Sequence, residues 1–253
     1  MTVSMLLICA CGNKRPEHDQ RKNAVKDTPT PTVTVTPTAT PTPMPRYSVC
    51  LDPGHGGRWE GAWYTQKEKD IVLELAKEIR SYLNEHYPDI DVTLTREDDT
   101  TFSNDLGPDL RARVEFAVAQ KAQILVSLHL NASEKHNLSG TMVCISKQPN
   151  IHDISMELGN TIMKKTEALG LKNRGCEWRN SQDTFDPITG DPMDYYAICR
   201  HGAALGIPAV IVESLFMDYP EDKKLISSSE GLKKLAAAEA EGIAEFLYSH
   251  YGQ

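Results

Sequence analysis

Three apolar runs in this chain lead to side chains that can bind a metal or move a proton. The run YSVCLD at 47–52 turns through Pro53 and Gly54 into His55-Gly56-Gly57. The run QILVSLHL at 123–130 carries His129 next to its end, and PAVIVES at 208–214 carries Glu213. Neutral imidazoles offer nitrogen lone pairs and carboxylates offer anionic oxygens, so a few such groups brought together could hold a divalent cation or shuttle a proton. Singly, each has an ordinary explanation: a histidine in an apolar run is often a hydrogen-bonded core residue, and a glutamate where a strand meets a loop is often solvated. Glu68 has one too, because Thr65-Gln-Lys-Glu68 has capping-box spacing. No local motif settles the matter: H-E-x-x-H is absent, and the glycines at 54–57 fit neither G-x-x-x-x-G-K-[ST] nor G-x-G-x-x-G. Glycines flanking a histidine instead allow a sharp turn that leaves the imidazole uncovered. Any metal site must therefore be assembled from distant segments.

The elements that would assemble it are legible as short apolar runs alternating with amphipathic segments from Arg46 onward, the pattern of an α/β domain. Strands are expected at 47–52, 90–95, 123–130, 140–145 and 208–214. Helices are expected within 68–86, where Ile71, Leu75, Ile79, Tyr82 and Leu83 share a face, and within 230–250, where Leu232, Leu235, Ile243, Phe246 and Leu247 do. The second of these helices opens with Ser227-Ser-Ser-Glu230, another capping-box spacing. The fold expected is a single open, twisted, mixed sheet with helices on both faces. Ligands of such sheets bind at the carboxyl ends of central strands, where His55, His129 and Glu213 would meet.

The chain has 253 residues, enough for one sizeable domain at 46–253 with appendages. Its 40% hydrophobic and 25% charged residues are those of a globular protein, and no apolar stretch reaches the length of a membrane span. The net charge of −8 argues against a nucleic-acid partner, which would need a basic face. Residues 1–11, MTVSMLLICAC, read as a signal remnant similar to the end of a bacterial lipoprotein signal, with Cys11 as the candidate lipidation site behind a small residue. Residues 12–45 read as a disordered tether. Its 28–45 segment has eight Thr and six Pro in eighteen positions and would span on the order of 50 Å as an extended polyproline helix. The membrane would thus be reached only through a lipid anchor, with the domain displayed on its outer face or secreted. Six cysteines are few for a disulfide framework. Cys50 and Cys144 are expected in the core, and Cys176 and Cys199 are candidates to pair.

LDPGHGG at 51–57, EKDIVLELA at 68–76, SLHLNAS at 127–133 and PAVIVES at 208–214 resemble the four signature blocks of the zinc-dependent N-acetylmuramoyl-L-alanine amidases of the type 3 family. TRED at 95–98 and LRAR at 110–113 resemble that family's intervening arginine-containing segments, and the similarity runs in order from about 47 to 250. The resemblance implies His55, Glu68 and His129 as ligands of one Zn²⁺, with Glu213 as the catalytic acid/base. It implies a metal-activated water attacking the amide between N-acetylmuramic acid and L-alanine in peptidoglycan. Two imidazoles, one carboxylate and an open position suit a catalytic zinc, although the same set serves several divalent metals. After Glu213 the chain runs Ser214-Leu215-Phe216 where the family often has a glycine at the second place, which alters the local pocket.

Residues 172–201 are polar and aromatic, so they are expected to form a substrate groove or a regulatory lid. Arg174, Trp178 and Tyr196 are candidate substrate contacts there. The remaining histidines, His18, His86, His136, His152, His201 and His250, read as solvated, His201 least firmly so. A monomer is expected. Two other functions fit the same residues: a peptidoglycan-binding module without turnover, and a zinc hydrolase of another envelope amide or peptide, because pocket residues rather than metal ligands set substrate choice.

Overall fold

A computed structural model describes residues 46–252, so the leader, Cys11, the tether and His18 lie outside the described residues. In chain order the elements are β1 (Tyr47–Pro53), α1 (Glu68–His86), β2 (Ile90–Leu94), α2 (Leu106–Ala119), β3 (Ile124–Asn131), β4 (Thr141–Cys144), α3 (His152–Glu167), β5 (Asn173–Glu177), β6 (Asn180–Phe185), β7 (Pro192–Asp194), α4 (Ala197–Leu205), β8 (Ala209–Phe216), α5 (Pro220–Ile226) and α6 (Ser229–Tyr251).

Six strands form one sheet in the order β2-β1-β3-β8-β4-β5, with β6 and β7 as a separate antiparallel pair. Strands β2, β1, β3 and β8 run parallel, while β4 pairs antiparallel with β8 and parallel with β5. The sheet is therefore mixed, as the sequence leads one to expect. Central β3 and β8 are nearly continuous apolar runs, ILVSLHLN and AVIVESLF, because helices cover both their faces. Helices α1, α3 and α6 pack on one face over a core including Leu75, Ile79, Val126, Ile162, Val212 and Phe246. Helices α2 and α4 cover the other face, where Leu125, Ile198, Ile207 and Ala209 form a smaller core with Cys50, Cys144 and Cys199. Chain order reverses between β1 and β3, so the crevice at their carboxyl ends is the switch point of the sheet.

Three local expectations are corrected. The box at Thr65–Glu68 does not form: Lys67 is the N-cap and makes no side-chain cap, because Glu68 turns inward to other partners. At α6 the cap is Ser228, whose hydroxyl accepts from Gly231 N–H at 3.1 Å, so the register slips by one residue. Cys176 and Cys199 are both free thiols; Cys199 is buried against the Cys144 carbonyl on β4, and Cys176 faces the Met156 carbonyl. Residues 172–201 contain β5, β6, β7 and the start of α4.

Candidate metal centre

The loop after β1 presents His55, which sits at φ 63, in the left-handed region that a β-carbon disfavours. Buried hydrogen bonds hold it there. Gly54 N–H donates to Leu128 O on β3 at 3.0 Å. Arg96 donates to Pro53 O at 2.8 Å and Gly54 O at 2.9 Å, and Arg113 donates to His55 O at 2.6 Å. Arg113 is itself fixed by Asp52 at 2.9 Å and Asp109 at 2.8 Å. Burial would raise the Asp52 carboxyl, but the Arg113 charge and hydrogen bonds from Ser127 and Thr95 outweigh it and hold the group below the usual carboxylate range. On the outer side of the loop, Lys69 donates to Gly57 O and Asp99, both at 2.7 Å.

Glu68, in the first turn of α1, is the hub of the centre. Its Oε1 lies 3.0 Å from His55 Nε2, 3.1 Å from His129 Nδ1 and 2.9 Å from the Leu130 N–H that donates to it. Its Oε2 accepts from Ala62 N–H at 2.8 Å. Burial works to raise this carboxyl, yet the hydrogen bonds and charges of His129 and His55 hold it far below the usual range. The two imidazoles meet edge to face with centroids 4.7 Å apart. Main chain has to approach closely to allow this: a Cβ on Gly54 would lie 2.3 Å from His129 Nε2 and one on Gly61 would lie 2.5 Å from Glu68 Oε2. One donor atom from each of His55, Glu68 and His129 lies within 4.8 Å of the others, and among the described residues this is the group able to hold a metal ion. Two imidazole nitrogens and an anionic oxygen crowded this tightly are the donor set of a divalent cation, and the residues fit one.

Glu213 joins them by register. It is the β8 partner of His129 on β3, so the two side chains leave the same face of the sheet. Just beyond, Asn131 pairs with Phe216, which leaves β8 one residue longer than β3 in a bulge immediately after Glu213. Leu215, where the resemblance would place glycine, occupies this bulge fully buried in the core. Burial raises the Glu213 carboxyl; Glu68 and Glu177 add to the rise, and His129 opposes it.

A cavity of about 450 Å³ opens beside the centre, lined by His55 and His129 and walled by Trp59, Leu110, Tyr196 and Ile198. Of the three residues expected to touch substrate, Tyr196 borders this cavity; its hydroxyl accepts from Arg179 at 2.9 Å and meets Glu177 at 3.3 Å. Arg174 lies instead on β5 over the Phe216 ring, and Trp178 packs edge-on against His152. His201 is half-buried, its pKa pushed down by burial and by Arg200 and Arg111, and His136 is exposed as expected and pairs with Asp218 at 2.7 Å. Trp59 and Arg179 carry no signal of their own in the sequence, and Asp52, Arg96 and Arg113 stand there only as parts of the LDPGHGG, TRED and LRAR segments.

A profile described as N-acetylmuramoyl-L-alanine amidase matches residues 49–245. The chain belongs to the N-acetylmuramoyl-L-alanine amidase family. This amidase is 32% identical over 202 residues to an endolysin of Bacillus phage SPP1, an alignment spanning 79% of the chain and 65% of the endolysin. It is 27% identical over 233 residues to the N-acetylmuramoyl-L-alanine amidase AmiA of Escherichia coli K12, with 79% and 76% of the two chains covered. Among solved structures, the N-acetylmuramoyl-L-alanine amidase from Clostridium difficile 630 superposes with a TM-score of 0.65 at 26% identity, over 81% of this amidase and 98% of that chain.

Proposed function

We propose that this amidase hydrolyses the amide joining the lactyl group of N-acetylmuramic acid to L-alanine in peptidoglycan, with one Zn²⁺ held by His55, Glu68 and His129 and with Glu213 as acid/base. The observation that carries this reading is the convergence of three donor atoms within 4.8 Å, with Glu213 in register beside one of them. Zinc in such a site supplies a Lewis acid for the amide carbonyl and lowers the pKa of water. Glu213 accepts a proton from the attacking water at a carboxylate oxygen and delivers it to the alanine nitrogen as the C–N bond breaks. Before metal binds, Glu68 gathers both imidazoles at one oxygen. The cavity walled by Trp59, Leu110, Tyr196 and Ile198 seats the part of the substrate flanking the scissile bond and keeps bulk water from it. Cys11 as a lipidated anchor and residues 12–45 as a tether place a monomeric domain 46–253 on the outer face of the membrane, within reach of the wall. The support for this is the composition of those segments.

Equilibrium dialysis against zinc, followed by incubation with a soluble muramoyl peptide, tests the chemistry. One zinc per chain, lost in His129→Ala, together with chelator-sensitive release of a peptide bearing a free L-alanine amine, is the expected result. A chain that binds no divalent metal, or that releases peptide equally well in chelator, would overturn it.

A further inference from the structure

Arg96 is only 5% exposed, yet among the described residues every hydrogen bond of its guanidinium goes to a main-chain carbonyl: Nε to Pro53 at 2.8 Å, Nη1 to Asp98 at 3.0 Å, and Nη2 to Gly54 at 2.9 Å and Lys69 at 2.7 Å. A buried cation held by carbonyls alone, without a hydrogen-bonded carboxylate, is expensive in desolvation and calls for a reason beyond packing. The identity of the carbonyls supplies one. Gly54 immediately precedes His55, and Lys69 immediately follows Glu68, so a single nitrogen gauges the distance between the two main chains that bear these side chains. Arg113, 2% exposed, completes the grip by donating from Nη2 to the carbonyl of His55 itself at 2.6 Å, which pins the left-handed conformation of that residue.

We infer that Arg96 and Arg113 are positioning residues of the metal site, Arg96 setting the separation of the main chains that bear His55 and Glu68 and Arg113 holding His55 in its left-handed conformation before a metal is bound. This rests on the reading of His55 and Glu68 as ligands. A planar guanidinium fork fits the role where an ammonium does not, because its nitrogens satisfy carbonyls on separate segments at fixed angles. Outer partners of this kind are worth about 10- to 100-fold in metal affinity.

The test is the zinc Kd of the full chain, measured by chelator competition well below the melting temperature, for wild type, Arg96→Lys, Arg113→Lys, His55→Ala and Leu247→Ala. Leu247 is a fully buried core residue of α6 that touches neither arginine nor the ligands through any hydrogen bond, so its truncation reports what destabilisation alone does to the site. The inference expects both arginine variants to fold and to weaken zinc binding by about 10- to 100-fold. It expects Leu247→Ala to lower the melting temperature of the metal-free protein while leaving Kd within about twofold of wild type. Arginine variants that bind zinc like wild type would overturn the positioning role and leave the ligands standing. Leu247→Ala weakening zinc as much as the arginine variants would equally overturn it, because the effect would then be one of stability. A wild-type chain that binds no zinc, or binds it as His55→Ala does, would overturn the ligand reading and the inference with it. Should Arg96→Lys not fold, Arg113→Lys, which leaves every Arg96 bond in place, still tests the grip on His55, and wild-type zinc binding by that variant would overturn the inference.

Discussion

At the scale of single residues the site is a set of side chains whose neighbours leave them little freedom, and its predictions are sharp. Glu213→Gln keeps the shape of the side chain but cannot accept a proton. Its kcat is expected to fall by about 10²- to 10⁴-fold with zinc affinity retained, as steady-state kinetics and dialysis would show. Gly54→Ala would place a methyl group where the His129 ring stands, 2.3 Å from Nε2, so it is expected to displace that imidazole. Zinc titration should then show weakened binding in a protein with unchanged circular dichroism. His55, Glu68, His129 and Glu213 are legible in the sequence because each lies in a short block of recognisable composition beside an apolar run. The groups that aim them are not. Asp52, Arg96 and Arg113 are buried charged residues, and nothing in a linear sequence says which exposed-looking arginine the fold will bury against which carbonyl.

At the scale of elements, β1, β2, β3, β8, α1 and α6 follow from apolar patterning, because each presents a wide face to the main core. Helix α2 escapes that reading because the side it buries includes Asp109 and Arg113, and charge there masks the amphipathic period. Strands β5, β6 and β7, with sequences NRGCE, NSQDTF and PMD, are half exposed and mostly polar, so no alternation marks them. Helix α6 also carries a prediction. Glu239 on its buried face is 1% exposed, neither carboxylate oxygen has a hydrogen-bond partner among the described residues, and burial pushes the group up to about 7. Between the ordinary value of 4.5 and about 7 the folded state therefore keeps a proton that the unfolded chain has lost. Stability from this group is present below that window and declines as pH rises through it. Glu239→Gln, neutral at every pH, is expected to match wild type near pH 4.5 and to exceed it at pH 8 by on the order of 3 kcal/mol. Urea unfolding at the two pH values measures the difference, and equal stabilities at pH 8 would refute it.

At the scale of the whole molecule, histidines from two segments, a helix-borne carboxylate and a strand-borne acid meet at the carboxyl end of the central strands, and helices pack on both faces of that sheet. A ligand that binds only the folded state stabilises it by mass action, so zinc at about 100 times its Kd is expected to add about 2.7 kcal/mol, and a chelator to remove it. A melting temperature indifferent to both would speak against a preformed site. Among the described residues no helix is long and apolar enough to cross a membrane, and the anchor proposed above belongs to the N-terminal segments. Cleavage of the muramoyl–alanine amide is tested most sharply by mass spectrometry of peptidoglycan sacculi digested by the zinc-loaded protein, beside Glu213→Gln and a chelator-treated control. Stem peptides with a free L-alanine amine and intact glycan strands are expected from the active protein, and neither product from the two controls. Intact sacculi, or peptides cut at any other bond, would contradict the proposed reaction.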